Sequence, residues 1–172
     1  TLTGPSHESA LRLFNGFYAG YPDLIVDIYG HTLVIHNYAD DPAQNQTVIQ
    51  EAANYLRTSL NWLRGGILKT RNSGIQEEKK GTLIFGDKPD TKIKEHGIWY
   101  AVDLTMNRDA SFYLDTYNLR KWLIENTKGK SVLNTFAYTG SLGVAAMAGG
   151  ANLTVQTDRN GLFLNLAKDS YS

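Results

Sequence analysis

Apolar residues first concentrate in two short runs, Leu24 to Gly30 (LIVDIYG) and Thr32 to Ala39 (TLVIHNYA). Short β-branched and aromatic runs bounded by turn residues read as strands. The Tyr-Gly-His between them predicts a compact turn in which Gly30 supplies positive φ, so the pair forms a hairpin. Asp41-Pro42 then offers an N-cap followed by proline at the first helical position. Val48, Ile49, Ala52, Ala53, Leu56 and Leu60 recur at the spacing of one helix face, which predicts an amphipathic helix over 43–60. Two further strands follow, GGILKTR and GTLIFGD, separated by a polar loop from Asn72 to Lys80. Another strand, GIWYAVDL, begins at Gly97. Strands mixed with a single helix predict a small α+β module over residues 1–104.

The rhythm changes after that. Asp115 can cap a helix whose apolar residues Leu119, Trp122 and Leu123 share a face, with Gly129 as its stop. SVLNTFAYT reads as a strand, Gly140 to Ala148 as a helix, NLTVQTD as a strand, and the chain from Asn160 onward as another helix. A β-α-β-α order implies parallel strands joined by right-handed crossovers. Residues 105–172 therefore read as the first part of a Rossmann-like, doubly wound domain, of which only two strands are visible. The fold class expected is α/β, with the α+β module preceding it.

Composition narrows the setting. The chain has 172 residues with no net charge and no cysteine, which leaves neither a disulfide framework nor a thiolate metal site. His7, His31, His36 and His96 are dispersed without zinc-like spacing, so no metal is expected. His36 reads as a core or edge histidine and His96 as a turn residue. No apolar run approaches the ~20 residues of a membrane span. The start, TLTGPSHESALRL, has neither the basic nor the apolar region of a signal peptide, so the expectation is a cytoplasmic protein. It also lacks an initiating Met, so a piece of a longer protein is expected. Arg12, Arg57 and Arg64 are the basic side chains before Lys69, and basic residues outnumber acidic ones after it. Lys69, Arg71, Lys79 and Lys80, in and beside the loop KTRNSGIQEEKKG, read as a mildly basic face toward a polyanion, or as ordinary solvated charge.

The stretch from Lys130 to Asp158 carries the candidate chemistry. In open parallel sheets, ligands bind beyond the carboxyl ends of the strands. Phe136 to Ser141 lies at such an end, and Gly140 opens the next helix. The G-x-G-x-x-G of dinucleotide sites is missing and no G-K-[ST] follows the turn, which disfavours pyrophosphate and with it a nicotinamide oxidoreductase. A nucleoside with an amino-acid tail suits the stretch better. Free amides at a helix N-terminus accept a carboxylate, and carbonyls near Phe136 and Tyr138 accept from an ammonium. Asp158, ending the next strand, can take both ribose hydroxyls, although it also suits a helix N-cap. S-adenosyl-L-methionine has all three groups. AAMAGG reads as small residues that let a helix pack close to the sheet.

The same region resembles the S-adenosylmethionine-dependent methyltransferases of large-subunit ribosomal RNA, the cytosine-C5 group most closely. The similarity rests on Glu95 to Ile98 (EHGI), Phe112 to Arg120 (FYLDTYNLR) and Asn134 to Gly140 (NTFAYTG), with GYPDLIVDIYG as a further piece in the first half. The resemblance implies that Asn134, Phe136, Tyr138, Thr139, Gly140 and Ser141 line the cofactor's amino-acid end. It puts Asp158 on the ribose, and Asp115 and Asn118 near the methionine side. Arg120 matches the last arginine of its segment and joins the expected RNA contacts, with a plain helix-surface role as the alternative. Tyr117 stands where the family often has arginine; tyrosine cannot make a bidentate pair with phosphate or carboxylate.

Methyl transfer to carbon 5 of a pyrimidine needs a nucleophile that adds to carbon 6, usually a cysteine thiolate. None is present here. The expectation is therefore a fragment whose catalytic residues lie beyond Ser172, inactive alone, with ribosomal RNA as partner. Guanine methylation of ribosomal RNA and a non-catalytic RNA-binding module are the alternatives. The oligomeric state is not legible.

Overall fold

A computed structural model describes residues 4–171, so Thr1 to Thr3, where the expectations about the chain start begin, and Ser172 lie outside it. By contact the chain divides into two units: residues up to Thr91 together with Leu104–Ala110, and Lys92–Asp103 together with Ser111 onward.

The first unit is a five-stranded mixed sheet in spatial order β1-β2-β3-β4-β5. Its strands are β1 (Ala10–Asn15), β2 (Leu24–Tyr29), β3 (Thr32–Asn37), β4 (Gly65–Thr70) and β5 (Thr82–Gly86). β2 and β3 form the expected hairpin, with Gly30 at φ 57° in its turn. β3 and β4 run parallel, a pairing that requires a crossover, and helix α1 (Gln46–Ser59) provides it. Asp41 caps a one-turn 3-10 segment, Pro42–Asn45, by accepting from the Ala43 amide, and α1 follows directly. The predicted helix over 43–60 is thus a tight turn plus helix. A short helix α2 (Gln76–Lys80) occupies the end of the expected loop.

Alternation along each strand sets which side chains meet. Leu24, Val26 and Ile28 of β2, Leu33 and Ile35 of β3, and Ile49 and Ala53 of α1 form one buried cluster with Leu63. Asp27, on the other face of β2, is 1% exposed and receives a bidentate contact from Arg12 of β1, at 2.8 and 3.1 Å. His36 Nε2 lies 3.4 Å from the same carboxylate, an ion-pair separation rather than a well-formed hydrogen bond. Burial alone would raise the Asp27 carboxyl, but His36 and Arg12 outweigh it and hold the group below the usual carboxylate range. His36 is accordingly a core histidine.

The second unit contains an antiparallel hairpin, β6 (Lys92–Glu95) and β7 (Ile98–Ala101), and two parallel strands, β8 (Ser131–Thr135) and β9 (Leu153–Thr157). Helices α3 (Tyr117–Asn126), α4 (Ser141–Ala148) and α5 (Gly161–Asp169) complete it. The β8-α4-β9-α5 order matches the predicted β-α-β-α pattern, so the chain has the α/β architecture expected of its second half. Hairpin β6–β7, which the sequence places in the first module, groups by contact with the second unit.

One local expectation is corrected. Asp115 caps no helix: Leu114–Thr116 forms a 3-10 turn and α3 begins at Tyr117. Small residues do govern the packing of α4, since a Cβ at Gly149 would fall 2.5 Å from the Ile124 carbonyl oxygen of α3. No helix among the described residues is long and apolar enough to cross a membrane.

Candidate cofactor site

Residues 136–140 leave β8 through an unusual backbone. Phe136 (φ 56°), Tyr138 (φ 52°) and Gly140 (φ 76°) are left-handed at alternate positions. For a non-glycine residue this conformation costs on the order of 1–3 kcal/mol and persists only where the surroundings enforce it. Three bonds enforce it here. The Ala137 amide donates to the Thr157 carbonyl of β9, the Tyr138 amide to Asp158 Oδ2 at 2.8 Å, and the Gly140 amide to the Ala137 carbonyl. Gly140 admits no side chain: a Cβ there would lie 2.6 Å from that of Ala167 and 2.7 Å from Gln156 Nε2. As N-cap of α4, glycine also offers no capping oxygen, so the first amides of the helix are not satisfied by a side chain at that position.

A second strained residue meets this turn. Ser111, also left-handed (φ 58°) and fully buried, accepts at its carbonyl from the Thr139 hydroxyl and at its own hydroxyl from the Asp103 amide. Beside it the Tyr138 ring sits 4.9 Å from Tyr113 and 4.6 Å from Phe163, centroid to centroid. Phe112 is buried and Tyr113 exposed, as an extended segment requires of adjacent residues.

Asp158 ends β9 close by. Oδ1 accepts from the Asn160 amide and Oδ2 from the Tyr138 amide, and these amides, in that order, hold its carboxyl below the usual range. The helix cap is Asn160, which accepts from the Leu162 amide, so Asp158 is not the N-cap of α5. A carboxylate has about four acceptor positions; the Asn160 and Tyr138 amides take two, and the Arg159 amide also acts on the group. The acceptor capacity that is left can take a ribose hydroxyl, and the α4 amides can donate to a carboxylate, so the donor and acceptor set fits S-adenosylmethionine.

The sequence-selected residues separate clearly. Phe136, Tyr138, Thr139, Gly140, Ser141 and Asp158 gather at the carboxyl ends of the two parallel strands. Asp115, in the 3-10 turn before α3, and Asn118, in the first turn of α3, are exposed. Asn134 points instead across the sheet to Gln156 Oε1, 3.0 Å away, within the strand pair. Ser111 and Phe163 were not anticipated; the adjacency of Ser111 to the Phe-Tyr-Leu-Asp stretch was the available signal.

Two of the expected RNA contacts are overturned by burial. Arg120 is 0% exposed. Its Nε and Nη2 donate to Glu95 at 2.6 and 2.9 Å, Nη1 donates to the Tyr113 carbonyl and to Thr116, and the guanidinium lies 4.0 Å over Phe112. Lys69 is 2% exposed and donates to the carbonyls of Lys80 and Asn107. Neither cation is presented to a polyanion. Arg71 lies 3.3 Å from Asp109 and over the Tyr38 ring; on α2, Lys79 is half-buried and Lys80 exposed. His96 is left-handed in the turn of the β6–β7 hairpin, its ring 4.3 Å from Tyr117, which is a turn role.

Residues 11–172 match the sequence profile of the S-adenosylmethionine-dependent methyltransferases, and the chain belongs to that family of transferases. It is 33% identical to the ribosomal RNA large subunit methyltransferase K/L of Colwellia psychrerythraea, over 95% of this chain and 23% of that protein. It is 29% identical to the ribosomal RNA large subunit methyltransferase I of Aeromonas salmonicida, over 88% of this chain and 38% of that protein. Among solved structures it superposes on SMU.776, a putative methyltransferase complexed with SAH, with a TM-score of 0.82 and 26% identity, covering 96% of this chain and 42% of that one. The chain thus spans less than half the length of each of these relatives.

Proposed function

We propose that this chain is the RNA-side module and cofactor-binding start of an enzyme that methylates large-subunit ribosomal RNA at carbon 5 of a cytosine. The observation that carries the cofactor half is the set of left-handed residues 136, 138 and 140 braced against Asp158 at the carboxyl ends of β8 and β9. The names of the K/L and I relatives support ribosomal RNA as the substrate.

When bound, S-adenosylmethionine supplies an electrophilic methyl group on its sulfonium. The chain's own contribution is positioning. Asp158 holds the ribose, the α4 amides hold the carboxylate, and Phe136 and Tyr138 border the amino-acid end. Asp115 and Asn118 stand on the segment beside it. The chain holds no thiol to add to carbon 6, so we expect it to bind cofactor but not to turn over RNA alone. Guanine as the target is the second reading, because its methylation needs no cysteine. The cytoplasm is the expected compartment.

Calorimetric titration with S-adenosylhomocysteine tests the site. We expect binding that weakens at least tenfold in Asp158→Ala, and no binding by the folded wild-type chain would refute the assignment. Incubating the chain with methyl-labelled S-adenosylmethionine and unmodified large-subunit RNA, then digesting to nucleosides, tests the rest. Label in 5-methylcytidine would overturn the expected inactivity, and label in a guanosine would overturn the choice of base as well.

A further inference from the structure

The β6–β7 hairpin has two unlike faces. Register pairs Lys94 with Trp99 and Lys92 with Ala101, so these four side chains share one face. Ile93, Glu95 and Tyr100 on the other face are buried. On the outer face Trp99 is 38% exposed, with the Lys92 ammonium 4.9 Å and the Lys94 ammonium 5.4 Å from its ring centroid. Two cations thus stand about 7 Å apart along one strand, beside a flat π-surface on its neighbour.

We propose that this face binds single-stranded RNA, the lysines taking backbone phosphates and the Trp99 indole stacking on a base. The inference rests on RNA being the substrate and assigns it a surface. A single strand brings both required partners at once: negative phosphates and unstacked bases with exposed π-faces. An acidic peptide or a sulfated polysaccharide brings charge without the rings, and duplex RNA keeps its bases stacked. Withdrawal of Lys69 and Arg120 into the interior leaves this hairpin as a place where cations and an exposed aromatic ring coincide. Both ammonium groups stand beside the exposed indole, so a phosphate can approach them at the surface without entering the protein interior.

Fluorescence anisotropy of a labelled mixed-sequence 12-nucleotide RNA, titrated with the 172-residue chain at several salt concentrations, tests the surface. Each phosphate neutralised on a single strand contributes about 0.7 to the slope of log affinity against log salt. Lys92→Glu with Lys94→Glu should reduce that slope by about 1.4 and weaken binding at least tenfold at 0.1 M salt. Trp99→Leu should weaken binding at least fivefold and leave the slope unchanged, because stacking releases no counterions. Lys128→Glu with Lys130→Glu makes the same charge change elsewhere in the unit and should lower the slope by less than half as much. Thermal unfolding by circular dichroism verifies that each variant is folded. Hairpin variants that bind like wild type, while wild type binds RNA, would overturn this surface and leave the RNA substrate standing. No binding by wild type would overturn both. Heparin displacing RNA from wild type and Trp99→Leu equally well would overturn the stacking role.

Discussion

Arg120→Met puts the buried ion pair of the second unit to a quantitative test. In the native fold the guanidinium makes two contacts with Glu95, at 2.6 and 2.9 Å, donates to Tyr113 and Thr116, and covers the Phe112 ring. Methionine keeps much of the apolar stem and removes every donor. Glu95 then remains 4% exposed as a carboxylate, with the His96 ring nitrogen 3.7 Å away as a weak substitute. Breaking a buried pair from one side costs about 3–5 kcal/mol, because the surviving charge stays desolvated. That is at least about a fifth of the ~5–15 kcal/mol stability of a typical domain. With a urea dependence of about 2 kcal/mol per molar, the midpoint should fall by about 2 M. Unfolding followed by far-ultraviolet circular dichroism measures it. The double variant Arg120→Met with Glu95→Leu should recover most of the loss, since an apolar pair of similar volume often matches a buried ion pair. A single variant with a wild-type midpoint, or a double variant no better than the single, would refute the reasoning.

Three further outcomes follow from the same structure. The Tyr100 hydroxyl is buried without a hydrogen-bond partner among the described residues, and burial followed by the Glu95 charge pushes its phenol up. Tyr100→Phe should therefore raise the urea midpoint, by the equivalent of roughly 1 kcal/mol. Gly140→Ala places a Cβ at φ 76° against Ala167 and should destabilise by at least about 2 kcal/mol while lowering S-adenosylhomocysteine affinity, both readable in one calorimetric series. Asp27, with a folded pKa below its unfolded value of 3.8, adds stability that is complete above that value and is lost as pH falls through the folded one. The stability gap between wild type and Asp27→Asn should shrink as pH falls below about 4; a gap that widens in acid would contradict it.

Sequence periodicity revealed the elements whose signal is local. The β2–β3 hairpin, α1 and the β8-α4-β9-α5 order all combine apolar spacing with a cap or turn residue nearby, and these formed close to where the pattern placed them. Strand β6 escaped because three of its four residues, Lys92, Lys94 and Glu95, are charged. Glu95 is tolerable in a core only through Arg120, 25 residues later, and no local pattern reports such a partner. The same blindness made Arg120 and Lys69 look like surface cations. At the cofactor turn, Gly140 and Asp158 were legible as a glycine and an acid at strand ends. Ser111 was not, since its role depends on a backbone angle and on a threonine 28 residues away.

The alternation of the chain between its two units sets an order of assembly. One of the carbonyls that receive the buried Lys69 ammonium, that of Asn107, lies 38 residues downstream. During synthesis that residue emerges after the β6–β7 hairpin, which groups with the other unit. The first unit therefore cannot finish closing around its buried ammonium until part of the second has left the ribosome. No single cut divides the polypeptide into two intact halves: a boundary drawn after residue 104 strips one unit of its last segment and carries away a hairpin belonging to the other.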